Sequence, residues 1–313
     1  MEPTLERTRA LTAARAHLDR GFRFEQAGSL ARALEEYRDA LDARPHAIEE
    51  IEARLRIARV HRTMAAWDLC REEAEAAIGL ADQHGEDDLA AEAMNVQLGA
   101  LQMRGFYDEA DELGRRAIAR AKSARVRGIT LQNLGRGAAE RRDFARSDAC
   151  FAESIDAFRS ANYDIGLAVA LTNAAKAAID QGEMVRALEV GHEAIGLARR
   201  LNQLDVLLTA VQNQAAAFSA RGDHDAAEAL LTEALGHFTS AKNFIRQAEC
   251  LEIMGQMSEA RSSDPDTARR CYERARELAL IVGDRPLVDR LTRRLAIGES
   301  VDGSGNGARR VAE

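Results

Sequence analysis

Three copies of a short pattern, Leu or Val followed two residues later by Asn, lie at an interval of 40 residues, at 131–133, 171–173 and 211–213. An interval of about 20 to 50 residues indicates one supersecondary unit stacked several times, because a single unit of that size cannot bury its apolar face alone. The sequence therefore predicts a repeat protein. Stacked repeats typically provide an extended binding surface, so the interval also favours a binding function.

Composition and proline positions indicate that the repeated unit is helical. Apolar residues make up 46% and charged residues 30% of the 313 residues, whereas aromatic residues make up only 4%. A core rich in Ala and Leu suits closely packed helices, because a methyl side chain lets two helix backbones approach. Proline occurs only at positions 3, 45, 265 and 286, so helices can run unbroken between residues 46 and 264. The predicted fold class is all-α.

The net charge and the cysteines indicate which kinds of partner and which cellular compartment to expect. The formal net charge of −8 argues against a nucleic-acid surface, since duplex binding needs a concentrated positive field. No run approaches the roughly 20 apolar residues of a membrane span, and the N-terminus lacks the apolar stretch of a signal peptide. The four cysteines include no C-x-x-C pair, which favours buried thiols in a reducing compartment. We therefore expect a cytoplasmic protein with no nucleic-acid and no membrane partner.

The first repeat carries a recognisable order of small, aromatic and turn residues. Gly21 and Phe24 lie on its predicted first helix, Ala33 and Tyr37 lie on its second, and Pro45 ends the second helix. This order of Gly, aromatic, Ala, aromatic and Pro resembles the tetratricopeptide repeat. The resemblance implies a right-handed α-solenoid of antiparallel helical hairpins, each made of a first and a second helix.

Related units follow along most of the chain. Hairpin turns are predicted at Gly28, Gly105, Gly182 and Gly222, where a helix ends and a positive φ is needed. Seven repeats are predicted over about residues 11–283, at intervals near 37 to 40 residues against 34 in the standard motif. Repeats of similar length are known in kinesin light chains, bacterial peptide-sensing regulators and large signalling ATPases, which this chain resembles only by period.

Short segments flank the predicted solenoid of residues 11–297. Residues 1–10 are predicted to be an N-terminal leader. Asp284 can cap a helix over residues 285–297, and Leu287, Leu291 and Leu295 share one of its faces. Such a helix is typical of the element that covers the last apolar face of a solenoid. The Gly-rich residues 298–313 cannot bury a core and are predicted to be a disordered tail.

The repeated Asn is predicted to lie on a different helix face from the core residues. Residues three positions apart share a helix face, which groups Asn133 with Arg136 and Asn173 with Lys176. Leu131 lies on the packing face instead. The Asn side chains are therefore expected to lie off the core.

The tetratricopeptide resemblance implies that first helices line a concave groove that binds a peptide or helix of a partner protein. A carboxamide can pair with both the N–H and the C=O of an extended backbone, and neighbouring cations favour acidic residues or a terminal carboxylate. The candidate groove residues are Asn133, Arg136, Asn173, Lys176, Gln212, Asn213, Arg56, Arg59 and Arg62. Two structural alternatives stay open. The Asn side chains could cap or bridge helices, and the basic residues could form exposed i,i+4 ion pairs, such as Arg136 with Glu140.

No pattern of catalytic or cofactor-binding residues stands out. The seven histidines include no H-E-x-x-H motif, and the turn glycines lack the strand–loop–helix setting of a phosphate loop. We therefore expect no enzyme, no metal and no cofactor. The leading function is a non-enzymatic scaffold or adaptor that binds a protein or peptide partner, with an acidic segment favoured. A regulatory receptor for a small peptide or metabolite and self-association are the alternatives.

Overall fold

The computed structural model describes residues 2–260 and 265–307. These residues form fifteen α-helices and no strand, which confirms the all-α prediction. The helices are α1 (Glu2–Gln26), α2 (Leu30–Asp42), α3 (Ala47–Thr63), α4 (Trp67–His84), α5 (Asp87–Met103), α6 (Tyr107–Arg120), α7 (Ala124–Glu140), α8 (Phe144–Ser160), α9 (Asp164–Gln181), α10 (Met184–Arg200), α11 (Leu204–Ala220), α12 (His224–Ser240), α13 (Phe244–Ala260), α14 (Pro265–Val282) and α15 (Arg285–Gly307). Helices α1 and α15 extend past residues 11 and 297, between which the solenoid is predicted. None of the described helices has both the length and the apolar character that a membrane span requires.

The chain divides into two compact units, residues 1–166 and residues 167–313. In the first unit α1 packs on α2, α3 on α4, α5 on α6 and α7 on α8. In the second unit α11 packs on α12 and α13 on α14, while Ala178 of α9 and Ala187 of α10 share a core cluster with Ala217 of α11. Helix α15 packs on α14. Within residues 2–260 and 265–307, seven hairpins and a C-terminal capping helix therefore follow one another, as the tetratricopeptide resemblance predicts.

Two hairpins bury a tyrosine ring against a glycine. Tyr37 of α2 packs on Gly21 of α1, where an added Cβ would lie 2.4 Å from the ring. Tyr272 of α14 packs in the same way on Gly255 of α13, where an added Cβ would lie 2.5 Å away. The glycine lets the two helix backbones approach until one ring fills the space between them. This packing explains how a chain with few aromatic residues completes its core.

The predicted hairpin turns hold a residue in the left-handed conformation. Gly28 has a φ of 72°, and Gly105, Gly182 and Gly222 each have a φ of 82°. At the Gly105 turn, the glycine N–H donates to the carbonyl of Gln102 at 2.9 Å, and the next N–H donates to the carbonyl of Leu101 at 2.9 Å. These two bonds satisfy carbonyls at the end of α5 that would otherwise lack a partner. The turn prediction at these four glycines is confirmed.

Ala65 and Arg142 occupy the same turn position without being glycine, with φ values of 56° and 61°. In the left-handed conformation a residue with a Cβ loses roughly 1–2 kcal/mol of stability. Glycine avoids this loss, but its greater freedom in the unfolded chain offsets about 0.4–1 kcal/mol of the gain. We expect Ala65→Gly to raise the free energy of unfolding by about 0.5–1 kcal/mol, measured by urea denaturation. The matched control Gly105→Ala should lower it by a similar amount. Two variants of equal stability would contradict this turn geometry.

Helix α15 is capped and buried as predicted. The Asp284 carboxylate accepts a hydrogen bond from the backbone N–H of Leu287 at 3.1 Å. Leu287 and Leu291 are buried in a cluster with residues of α14, and Leu295 packs against the same cluster. Within the predicted disordered tail, the helix continues to residue 307, and residues 308–313 lie outside the described residues.

Candidate ligand-binding face

The first helices of consecutive hairpins in the first unit pack against one another, α1 on α3, α3 on α5 and α5 on α7. We call the side of the unit that these four helices form the first-helix face. Its side chains bond to residues about one repeat further along the chain. Arg15 Nη2 donates to Glu49 Oε1 at 2.6 Å, and Asn95 Nδ2 donates to Thr130 Oγ1 at 2.9 Å. Polar side chains therefore join neighbouring repeats in addition to the apolar core.

Glu25 of α1 connects this face to the core of the first hairpin. Its Oε1 accepts a hydrogen bond from Arg59 Nη2 of α3 at 3.3 Å, and its Oε2 accepts one from the Tyr37 hydroxyl at 2.6 Å. Burial raises the pKa of Tyr37, and the bond to Glu25 raises it further, so the hydroxyl remains a donor at neutral pH. Both carboxylate oxygens of Glu25 are thus engaged within the protein.

Gln102 of α5 makes the corresponding connection to α7. Its side chain is only 2% exposed. The Nε2 atom donates to the backbone carbonyl of Asn133 at 2.8 Å, and the Oε1 atom accepts from Arg136 Nη2 at 2.8 Å. Gly137 leaves room for the Gln102 side chain, since an added Cβ at Gly137 would lie 2.3 Å from the Gln102 Nε2 atom. The backbone of Asn133 and the guanidinium of Arg136 are therefore held by a residue of the preceding repeat.

Arg62 of α3 lies over Gly99 of α5 but lacks a comparable partner. An added Cβ on Gly99 would lie 2.7 Å from Arg62 Nη1, so the guanidinium is next to the α5 backbone. Arg62 is half-buried, and within the described part of the chain its guanidinium forms no hydrogen bond and no ion pair. Burial lowers the pKa of Arg62, as do the nearby charges of Arg59 and Arg136, while Glu25 acts in the opposite direction. The side chain still carries its positive charge at neutral pH.

Arg56 and Arg136 have carboxylate partners on their own helices. Arg56 donates to Glu52 Oε1 through Nε at 3.2 Å and through Nη2 at 2.8 Å. Arg136 Nη1 lies 3.5 Å from Glu140 Oε1, in addition to its bond with Gln102. The ion-pair alternative therefore describes Arg56 and part of the environment of Arg136, but not that of Arg62.

In the second unit, the predicted residues of α9 and α11 differ in exposure. Asn173 is half-buried, and Gln212 is exposed. Lys176 is exposed and forms an i,i+4 ion pair with Asp180, as the structural alternative predicts. Such exposed pairs contribute little to stability, so the ammonium group remains accessible to other partners.

Asn213 differs from the expectation that the repeated Asn lies off the core. Its side chain is buried, with 9% exposed, and its Nδ2 atom donates to the backbone carbonyl of Thr172 at 3.2 Å. Small residues let α11 approach α9 closely, as Ala178 and Ala217 do in their shared cluster, so this carboxamide is enclosed between the two helices. For Asn213 the bridging alternative is correct.

Asn133 and Asn173 remain accessible in comparable positions. Both are half-buried, and neither carboxamide forms a side-chain hydrogen bond with a residue that the structure describes. Of the three repeated asparagines, these two therefore keep their donors and acceptor for another molecule.

Three residues of the first-helix face were not predicted from sequence, namely Glu25, Gly99 and Gln102. Their position in the sequence, counted in residues from the hairpin turn, could have identified them. Glu25, Arg62 and Gln102 each lie three residues before the left-handed turn residue of their hairpin, and Arg59, Gly99 and Arg136 each lie six residues before it. The side chain at the three-before position reaches the six-before position of the next repeat.

The cysteine thiols are not activated as nucleophiles. Burial raises the pKa of all four, Cys70, Cys150, Cys250 and Cys271, and that of Cys250 reaches about 12. The thiolate is the reactive form, so little of it is present at neutral pH. Cys70 and Cys250 are buried, as predicted, whereas Cys150 and Cys271 are half-buried.

Among the residues that the structure describes, one cluster of potential metal ligands lies on α1 and α2. Ligand atoms of His17, Glu36 and Asp39 lie within 4.8 Å of one another. However, Arg20 Nε donates to both oxygens of Glu36, at 3.1 and 3.0 Å, and these hydrogen bonds lower the pKa of Glu36. The Arg20 guanidinium already supplies a positive charge next to Glu36. We therefore interpret this cluster of side chains as an ion-pair network.

No known family model matches the sequence, and no curated protein matches it. Several solved structures nevertheless have a similar fold. The apo form of the quorum sensor NprR from B. thuringiensis has a TM-score of 0.64 and 15% identity, over 84% of this chain and 75% of that one. A Rap protein complexed with Competence and Sporulation Factor has a TM-score of 0.61 and 16% identity, over 93% and 76%. Apo RapI has a TM-score of 0.59 and 15% identity, over 87% and 99%.

These similarities agree with the order of helices and turns described above. At such low identity they establish the fold alone. They cover most of this chain and most of each solved structure, so the agreement extends well beyond a single hairpin. The chain therefore has the tetratricopeptide-like helical-repeat fold that it shares with Rap proteins and NprR.

Proposed function

We propose that this chain is a non-enzymatic interaction protein whose first helices bind an extended or helical segment of a partner protein or peptide. The observation that carries the proposal is the state of Asn133 and Asn173. Both carboxamides are half-buried and form no side-chain hydrogen bond with any described residue. A carboxamide offers two donors and one acceptor, so each can pair with the N–H and the C=O of a bound backbone.

The fold comparisons support a role in ligand binding. One Rap protein is complexed with Competence and Sporulation Factor, and NprR is a quorum sensor. Function does not follow from fold, so the ligand of this chain is argued from its own residues.

The charges on the first-helix face favour an acidic segment. Arg59, Arg62 and Arg136 lie near one another on this face, although the whole chain has a net charge of −8. Glu25 and Glu140 are each already bonded to a tyrosine hydroxyl. A segment with carboxylates would therefore be attracted to this face, and a basic segment would be repelled.

The proposal can be tested with peptides selected from a randomised phage-displayed library on the full chain. Their affinity is then measured by fluorescence anisotropy. We expect the double variant Asn133→Ala and Asn173→Ala to weaken binding by about tenfold or more, whichever unit holds the peptide, because the bound backbone loses its hydrogen bonds to the carboxamide of that unit. Its thermal unfolding midpoint should stay close to that of the unmodified chain, since neither carboxamide has a partner among the described residues.

Asn213→Ala is the matched control for this experiment. It loses the bond to Thr172. It should therefore lower the free energy of unfolding by about 1 kcal/mol and leave peptide affinity unchanged. A library that yields no binding peptide, or a double variant that binds as tightly as the unmodified chain, would contradict the proposal.

A regulatory receptor is the second candidate, favoured by the likeness to the quorum sensor NprR. In that case the ligand has to change the conformation of the chain, because it can shift an equilibrium only by its differential affinity for two states. Small-angle X-ray scattering with and without a selected peptide separates the two functions. A change in radius of gyration on binding favours the receptor, and an unchanged value favours the scaffold.

A further inference from the structure

Three corresponding contacts join the first helices of the first unit. In each, a residue three positions before a hairpin turn reaches the residue six positions before the next hairpin turn. Glu25 bonds to Arg59 at 3.3 Å, and Gln102 bonds to Arg136 at 2.8 Å. The middle contact joins Arg62 to Gly99.

Gly99 makes the middle contact chemically different. In the two outer contacts, an acceptor on one helix meets an arginine on the next. In the middle contact the arginine comes first, and the residue opposite it has no side chain with which to pair. The Arg62 guanidinium consequently forms no hydrogen bond and no ion pair with any described residue.

The surroundings of Arg62 cannot neutralise its charge fully. Glu25 is near, but both of its oxygens are bonded, one to Arg59 and the other to Tyr37. The side-chain oxygen of Gln102 is bonded to Arg136. Two of the charges that act on Arg62 are therefore positive, and the carboxylate that acts on it, Glu25, already has partners.

We propose that Arg62 binds one carboxylate group of the partner segment over Gly99, with Arg59 and Arg136 adding longer-range attraction. A guanidinium presents paired N–H donors that match the two oxygens of a carboxylate. The half-buried position strengthens the interaction relative to an exposed arginine, because it is less screened by water. This inference rests on the proposed function only in assigning the carboxylate to a peptide or protein, either as an acidic side chain or as a chain terminus.

Glutarate is the first probe, since it supplies carboxylates without a peptide. The full chain is labelled with ¹⁵N, and the arginine Nε–Hε signals are followed by NMR during a glutarate titration. The signal that disappears in Arg62→Gln identifies Arg62. We expect this signal to shift saturably, while that of Arg54, which is bonded to Glu50 and Glu73, stays in place. An unshifted Arg62 signal, or equal shifts of the two arginines, would overturn the inference.

Gly99→Glu is the second variant, and it keeps the test independent of removing Arg62. The new carboxylate lies next to Arg62, and only the flexible end of that side chain has to move to admit it. We expect a higher thermal midpoint, because a salt bridge is gained and glycine is removed from a helix. The variant should also lose its response to glutarate. A Gly99→Glu chain that still responds to glutarate like the unmodified chain would count against the site.

Selected peptides then identify the source of the carboxylate. Each peptide is compared with its C-terminal amide and with its Glu→Gln and Asp→Asn forms. Removal of the recognised carboxylate should weaken binding about tenfold, and Arg62→Gln should add no further loss to that peptide. If peptides bind Arg62→Gln as tightly as the unmodified chain, the inference fails and the proposed peptide binding stands. If glutarate binds at Arg62 but no peptide is selected, the carboxylate site stands and the proposed function fails.

Discussion

Replacing Tyr37 with Ala should lower the free energy of unfolding of the first unit by about 3–5 kcal/mol. The ring is completely buried, within a cluster that includes Leu18, Ile57 and Val60. The position of Gly21 beneath the ring means that no neighbouring side chain is available on that side to fill the cavity. The helices can close only partly around the missing ring, so most of the loss should appear as reduced stability.

Urea denaturation followed by circular dichroism measures this effect, and Tyr37→Phe provides the matched control. The Phe variant keeps the ring and removes only the hydroxyl that donates to Glu25 at 2.6 Å. It should cost about 1 kcal/mol. If the Ala and Phe variants were equally stable, the ring would not be an essential part of this core.

Leu291→Ala in the capping helix should lower the free energy of unfolding of the second unit by about 2–5 kcal/mol. Leu291 is fully buried, in one cluster with Leu278 and Ala279 of α14. Its truncation leaves a cavity between α14 and α15 and weakens the cover over the last apolar face. The same urea denaturation reports the loss.

Arg293→Ala tests whether the effect belongs to the buried face of α15. Arg293 is exposed, and among the described residues its Nε atom donates only to the backbone carbonyl of Asp289 on the same helix, at 3.3 Å. Its removal should change stability by no more than about 0.5 kcal/mol. A large effect of Arg293→Ala, or a negligible one of Leu291→Ala, would mean that α15 does not pack through its leucine face.

Local patterns were sufficient to predict the hairpins and the cap. A glycine such as Gly105 marks a positive φ directly, and the spacing of Leu287 and Leu291 marks a helix face. The turns at Ala65 and Arg142 carry no such mark, because their φ is imposed by the helices on either side. These elements depend on neighbouring residues only, which is why sequence alone could identify most of them.

The first-helix face could be predicted only in part, because it depends on how far apart the helices are. Arg62 was identified as a basic residue of a first helix, but its lack of a partner depends on Gly99, 37 residues away. Asn213 was placed correctly in its repeat, yet its burial depends on the close approach of α9 and α11. Helix periodicity predicts on which face of its helix a residue lies, but it does not predict the distance from that face to the next helix.

The contacts between repeats also constrain how the chain folds. Glu25 bonds to Arg59, Gln102 to Arg136 and Arg290 to Glu252, each across 34 to 38 residues of sequence. The ordering cost of closing a loop grows slowly with its length, and here each loop is about one repeat long. A hairpin formed anywhere in a unit can therefore serve as the template for its neighbour, without waiting for distant parts of the chain to meet. We expect the two compact units to fold by such stepwise growth and to fold fast for their size.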